Sequence, residues 1–311
     1  MLRCPLCGAS CSELLPFCPT CGCDFHRETE DHFIGLTVGG KFVLRELIGS
    51  GSMGRVYRSF QIGLDRIVAL KILHRHLLDD DTAIARFEIE ARAASQIQHP
   101  HSISVFDFGQ AETGDLYIVF EHLIGRSLAS LLGDEFLLPL GRVVDILCQT
   151  MEAVHAAHRL NIIHRDLKPE NIFILQIAGH DFVKVLDFGI AKMLGLEDRC
   201  LTTPGFIVGS PEYMSPEQVN GEVLDARSDV YSLGVILYEL VTGMVPFRGP
   251  TTLATVMAHT EESPKPPSQC HVDRNIPEAL ESIVLRALAK RPDERFASAA
   301  QFREHLLACE V

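Results

Sequence analysis

The sequence predicts an α+β protein of two lobes, strand-rich first and helix-rich second, preceded by a small cysteine-rich module. Three observations predict it. From Lys41 to Phe120 the apolar residues fall mainly in short runs broken by Gly and charged turns. After Gly125 the spacing turns mostly helical. Six of the ten cysteines lie within residues 1–25. With 47% hydrophobic and 22% charged residues among 311, the composition is that of a packed protein and excludes disorder over most of the chain.

The expected divisions are a cysteine-rich module over 1–25, a linker over 26–40 and the two-lobed domain over 41–309. In the module, Cys4-Pro-Leu-Cys7-Gly and Cys18-Pro-Thr-Cys21-Gly repeat one local pattern. A C-x-x-C pair can aim both sulfurs at one ion, and the following Gly lets the backbone curl around it. Two such turns supply four thiolates, which suits a tetrahedral structural Zn²⁺ with no open catalytic position. So short a segment cannot bury much apolar surface, so metal binding is a plausible source of its folding energy. The doubled pattern resembles the zinc ribbons. Free or redox-active thiols are the competing reading, and the better one for Cys11 and Cys23, which lie outside the pairs. The first residues lack a secretory leader, so a cytoplasmic location is the default expectation.

In the first lobe, Phe42–Leu47, Val56–Phe60 and Ile67–Ile72 read as strands, as do Ser104–Phe108 and Leu116–Phe120. Thr82–Gln98 reads as a helix with Ile84, Phe87, Ala91 and Ala94 on one face. In the second, Val143, Leu147, Met151 and Val154 mark a long helix. Asp229–Val241 is apolar nearly all round and reads as a buried central helix. Leu280 to Leu288 and Gln301–Leu307 supply the last two, after a proline-punctuated loop. The longest apolar stretch, Leu233 to Val245, contains Glu239 and is too short to span a bilayer.

The formal charge of −13 argues against a nucleic-acid surface. Residues 1–30 repeat the point, with Arg3 and Arg27 set against Glu13, Asp24, Glu28 and Glu30. Chemistry concentrates elsewhere. Gly49-Ser50-Gly51-Ser52-Met53-Gly54 has the G-x-G-x-x-G spacing, which alone fits a dinucleotide turn or a flexible loop. A strand follows it rather than a helix, so it reads as a flap between strands whose N–H groups can approach phosphates. Lys71 lies in an apolar strand, and Glu90 on the apolar face of the helix. Each could be structural alone; together they are natural mates, holding an ammonium ready for a phosphate.

The run His164-Arg165-Asp166-Leu167-Lys168-Pro169-Glu170-Asn171, then Asp187-Phe188-Gly189, decides the reading. With the glycine loop, Lys71, Glu90, Ser215-Pro216-Glu217, Asp229 and Arg295 in order, residues 40–309 resemble the protein kinases. The resemblance is to the bacterial serine/threonine kinases of eukaryotic type, and it implies the bilobal protein-kinase fold. It implies ATP and Mg²⁺ (or Mn²⁺), with Asn171 and Asp187 as metal ligands. Asp166 would accept the substrate hydroxyl's proton, Lys168 steady the phosphoryl group and Lys71 hold the α- and β-phosphates. Gly49, Ser50, Gly51 and Gly54 would cover the phosphates. Glu121 and Leu123, in the segment 120–123, would bond adenine through the backbone, with Val56, Ala69 and Phe173 around the ring. Glu217 and Arg295 would pair, and Asp229 would cap the catalytic-loop backbone.

Lys168 and Pro169 favour Ser and Thr acceptors on protein substrates. Thr202 and Thr203 resemble autophosphorylation sites, with ordinary loop hydroxyls an equal reading for either one. Arg165 would pair with a phosphorylated loop residue. Ser210 stands where the family usually has Thr, and Ser215 where Ala is common. Two other functions compete: a catalytically weak or inactive kinase-fold scaffold acting by protein binding, and a zinc-ribbon nucleic-acid module carrying an appended kinase. Every group needed for phosphoryl transfer is present, against the first; the acidic charge argues against the second. Protein docking suits the zinc ribbon better.

Overall fold

The computed structural model describes residues 2–3, 10–11, 20, 31–51, 53–188, 210–270 and 274–310, without the side chains of Leu2, Arg3, Ser10, Cys11, Arg86 and Glu90. Cys4, Cys7, Cys18 and Cys21 lie outside these residues, as do Gly189, Thr202 and Thr203. The chain divides into two compact units, residues 1–95 with 104–123 and residues 96–103 with 124–311.

The first unit begins with a short antiparallel pair, β1 (Leu2–Arg3) and β2 (Ser10–Cys11). Its main element is a six-stranded sheet. The strands are β3 (Thr37–Val38), β4 (Phe42–Ser50), β5 (Gly54–Gln61), β6 (Arg66–Leu73), β7 (Val105–Gln110) and β8 (Leu116–Glu121), in the order β3-β4-β5-β6-β8-β7. All neighbours are antiparallel. Helix α1 (Asp81–Gln96) buries Phe87, Ala91 and Ala94 as its spacing predicts.

Register sorts the sheet's side chains. Val56 pairs with Lys71, Lys71 with Ile118 and Ala69 with Phe120, so these five share one face. Tyr57, Leu70 and Val119 take the other. On that face they pack with Phe33, Val38, Phe42 and Leu44 into one apolar cluster. The packing therefore reaches back to Asp31, ten residues before the expected domain start, and the expected linker 26–40 is corrected over 31–40. Asp31 accepts the Tyr57 hydroxyl at 2.7 Å and Phe33 is buried. The segment holds three glycines among ten residues and pairs as a strand only at Thr37–Val38; the sheet face it covers makes it part of the core.

The second unit contains a three-stranded sheet, β11-β10-β9, from β9 (Gly125–Ser127), β10 (Ile172–Ile177) and β11 (His180–Val185). Its helices are α2 (Leu128–Asp134), α3 (Leu140–His158), α4 (Pro216–Val219), α5 (Ala226–Thr242), α6 (Thr252–Glu261), α7 (Glu278–Ala287) and α8 (Ala299–Leu307). Every residue from Ser228 to Thr242 except Glu239 is buried, so α5 is the central helix its composition indicates. Gly243, at φ +75°, ends it in the left-handed conformation that glycine accepts cheaply. The second half is mostly helical, as expected, and the β10–β11 hairpin adds strands that the helical spacing does not show. Its strands are six residues each, joined at Ala178-Gly179.

Candidate active site

In the first unit, the glycine motif is a turn between β4 and β5, as expected. Gly51 N–H donates to Gly54 O at 2.9 Å, and Gly49 pairs with Val56 and Ser50 with Arg55. A side chain at Gly54 would collide with the Ile72 carbonyl, so the turn lies on β6 only because Gly54 has no Cβ. His74 fastens it further. Its backbone N–H donates to Met53 O and its Nε2 to Gly51 O, both at 2.9 Å. Sequence reading missed His74, whose role depends on the tertiary fold alone.

Lys71, Ala69 and Val56 share one sheet face beside the turn, and Ala69 is buried. Glu90 is on α1, where only its backbone is described, so the expected Lys71–Glu90 pair lies outside the described side chains. Glu121 closes β8: its N–H donates to Ser104 O at 3.0 Å and its carboxylate accepts from Ser104 N–H at 2.8 Å. Leu123 follows as irregular chain.

In the second unit, α3 and the β10–β11 hairpin bracket the 164–171 loop. Asp166 is tied on two sides. Lys168 Nζ is 2.9 Å from its Oδ2 and also donates to Ser210 Oγ at 3.0 Å. Asn171 Nδ2 donates to the Asp166 carbonyl at 2.8 Å. That leaves Asn171 Oδ1 as the amide's acceptor atom. Leu186 N–H donates to Asn171 O at 2.8 Å, fixing the backbone just before Asp187 to Asn171. Asp187 and Arg165 have φ of +44° and +67°, left-handed values that cost a non-glycine residue roughly 1–3 kcal/mol and need a surrounding structure to hold them. Phe173 is half-buried on β10, paired to Lys184 and to Ser127.

That structure is centred on Asp229. The buried carboxylate accepts His164 N–H at 2.8 Å and Arg165 N–H at 2.9 Å, and His158 Nε2 at 2.7 Å. Burial works to raise its pKa, but the bond from His158 and the two histidines' charge outweigh it and hold the group below the usual carboxylate range. Gln218 Nε2 completes the support, donating to Arg165 O at 2.8 Å.

Glu217 and Arg295 form a buried bidentate pair at 2.7 and 2.8 Å. Arg295 also donates to the carbonyls of Arg227, Ala289 and Lys290, so both sides of the pair are satisfied. Ser215 has a physical reason too. It caps α4 in a reciprocal capping box with Gln218, which no alanine could form. Among the described residues, Asp166, Ser210, Tyr213 and Met214 border one shallow depression.

Asn171 and Asp187 offer amide and carboxylate oxygens, the donor chemistry of a hard divalent cation. Asp166 and Lys168 place a carboxylate beside an ammonium. Such a set can orient a hydroxyl and neutralise a moving phosphoryl group, which is phosphotransferase chemistry.

Residues 42–307 match the family model described as the protein kinase domain, and the chain belongs to that family. It is 48% identical over 283 residues to the serine/threonine-protein kinase pkn3 of Myxococcus xanthus, covering 90% of this chain and 52% of that protein. To the serine/threonine-protein kinase PknB of Mycolicibacterium smegmatis it is 40% identical over 270 residues, covering 86% of this chain and 42% of the relative. The chain thus spans about half the length of these relatives, or less. Among solved structures, the PknI kinase domain of Mycobacterium tuberculosis matches with a TM-score of 0.68 at 28% identity, over 88% of this chain and 98% of that one. No helix among the described residues is long and apolar enough to cross a membrane.

Proposed function

We propose that the chain is an ATP-dependent serine/threonine protein kinase that transfers the γ-phosphate to hydroxyls of protein substrates and to its own activation loop. The observation that carries this is the Asp166–Lys168–Asn171 arrangement, braced by Asp229 and tied at Asn171 to the backbone before Asp187.

Asp166 accepts the proton of the attacking hydroxyl and orients its lone pair in line with the phosphorus. Lys168, held against Asp166 and Ser210, neutralises charge on the transferring group. Asn171 Oδ1 and the Asp187 carboxylate would hold Mg²⁺ (or Mn²⁺), which would supply positive charge against the nucleotide's phosphates. Lys71 reaches the α- and β-phosphates, Glu90 orients it, and the N–H groups from Gly49 to Gly54 lie over the phosphate chain. Val56 and Ala69 lie against the adenine, which bonds to the backbone of Glu121 and Leu123.

We also read Cys4, Cys7, Cys18 and Cys21 as ligands of a structural Zn²⁺, on their doubled C-x-x-C-G spacing. A module of that kind with few cations would dock protein rather than nucleic acid.

Incubation with labelled ATP and Mg²⁺ tests the kinase reading. Asp166→Asn and Lys71→Met should each nearly abolish phosphate transfer at unchanged melting temperature. Wild-type turnover in either variant refutes the assigned mechanism. Metal analysis of the purified full chain should return one zinc per chain, lost when Cys4 and Cys7 are both changed to Ser. A ratio well below one removes the zinc assignment.

A further inference from the structure

The sheet of the first unit has a concavity on the face that carries Tyr57 rather than the face that carries Lys71. It is a cavity of about 240 Å³. Its apolar wall is Phe33, Ile72 and Leu73, and its polar lining is basic: His32, Arg55, His74, Arg75 and His76. A water molecule occupies roughly 30 Å³, so the space holds far more than a solvent molecule or two.

The acids nearby leave part of this basic lining unanswered. Asp115 is spent on Arg75, which grips it with two bonds of 2.9 and 3.0 Å, and on Thr113. Asp31 accepts the Tyr57 hydroxyl and lies 3.5 Å from Arg55, an ion pair too long for a good hydrogen bond. The Arg55 Nε is buried with no hydrogen-bond partner, a costly condition for a guanidinium donor. His74 is buried too. A carbonyl only accepts, so its bond to Gly51 O puts the proton on Nε2 and leaves Nδ1 as the acceptor nitrogen. No described residue bonds to Nδ1. Protonation would turn it into a donor beside Arg55 and His76, whose ring stacks on that of His74 at 5.4 Å.

Donors that converge from an arginine fork and two imidazoles suit a tetrahedral oxyanion, and the Phe33–Ile72–Leu73 wall suits an apolar body attached to it. We propose that this cavity binds a phosphate monoester carried on an apolar group, at a site separate from the phosphotransfer residues. The bound anion acts on the glycine turn through His74, which holds Gly51 and Met53. Burial, then the charges of Arg55 and His76, keep free His74 less basic than usual. A bound dianion reverses that balance, so binding tightens as pH falls from 8 to 6.5. Arg75 and exposed His32 add to the positive side, and Asp31 and Asp115 to the negative.

The probe is phenyl phosphate, titrated calorimetrically into the full chain without ATP or Mg²⁺, with inorganic phosphate and phenol as controls. Phenyl phosphate should bind about tenfold tighter than either control. Arg55→Gln should weaken it about tenfold, and the exposed His76→Gln, which carries no folding risk, by a smaller factor. Lys71→Met should leave it unchanged. The affinity should rise on going from pH 8 to 6.5, with the His74 ring resonances moving on binding. A short phosphotyrosyl peptide bound as well as phenyl phosphate makes the source a phosphorylated side chain; phenyl phosphate alone makes it a small molecule. Binding lost in Lys71→Met but kept in both Arg55→Gln and His76→Gln overturns the proposal, as does no binding at millimolar probe or equal binding of phenol. None of these outcomes depends on kinase activity.

Discussion

Asp229→Asn isolates the support of the catalytic loop, because it keeps the side chain's shape and changes one oxygen to a donor. In the native structure Oδ2 receives His158 Nε2 and His164 N–H, and Oδ1 receives Arg165 N–H. Asparagine has one acceptor oxygen. Placed at the Oδ2 position, it keeps two of the three contacts and turns its NH₂ against Arg165 N–H. The loss is one hydrogen bond to a charged group, about 1.5–3 kcal/mol, and the Arg165 N–H is left facing a donor. The total should be about 2–4 kcal/mol, which for a domain of this size lowers the melting temperature by roughly 5–15 °C. The loop suffers more than the fold. Arg165 sits at φ +67° only while Asp229 and Gln218 hold it, and Asp166 is the next residue. Phosphate transfer at saturating ATP should therefore fall at least about tenfold at a temperature where the variant is fully folded. Thermal melts by circular dichroism and single-time-point labelling at 15 °C measure the two effects. A melting temperature within 2 °C of the wild type together with unchanged turnover would refute the reasoning.

Arg295→Met strands the Glu217 carboxylate in the interior and should cost about 3–5 kcal/mol; adding Glu217→Leu should recover part of it, read from urea midpoints. Recovery of nothing would show that Arg295 acts through its three carbonyl contacts instead. His259 is buried against Tyr231 and Phe247, and burial, then the Lys290 charge, push its pKa down to about 4. The unfolded chain takes up that proton near pH 6.5, so the neutral ring's stabilisation is intact above 6.5 and shrinks as pH falls to 4, by about 3 kcal/mol. His259→Phe should flatten the stability profile across that window, as measured by denaturant midpoints. Glu217 and Asp229, both held below the usual carboxylate range, add a separate acid limb that begins below about pH 5 and persists in His259→Phe.

The strands β4, β5 and β6 and the helices α1, α3, α5, α7 and α8 are legible because each carries its own periodicity or apolar run over a turn or more. The glycine turn is legible from the segment after it, since Val56 to Phe60 reads as a strand rather than a helix. The catalytic run is legible as a dense cluster of charged and amide residues. The β10–β11 hairpin is not, because an apolar run such as Ile172–Ile177 among helical segments cannot be told from a buried helix segment by spacing alone. Neither is the packing of 31–38, where only Phe33 and Val38 are deeply buried.

By itself the sequence determined which chemical groups are available and in what order: the glycines, Lys71, the 164–171 run, Asp187 and the paired cysteines. Short-range spacing carries that information because neighbours in the chain must be neighbours in space. The resemblance implies that Asp229 caps the 164–165 backbone and that Arg295 pairs with Glu217; only the tertiary structure decided that His158 and Gln218 complete that support and that His74 fastens the glycine turn. Those contacts join residues whose separation along the chain leaves no local trace. They become visible only when the packing of strands and helices has brought buried donors and acceptors to within bonding distance.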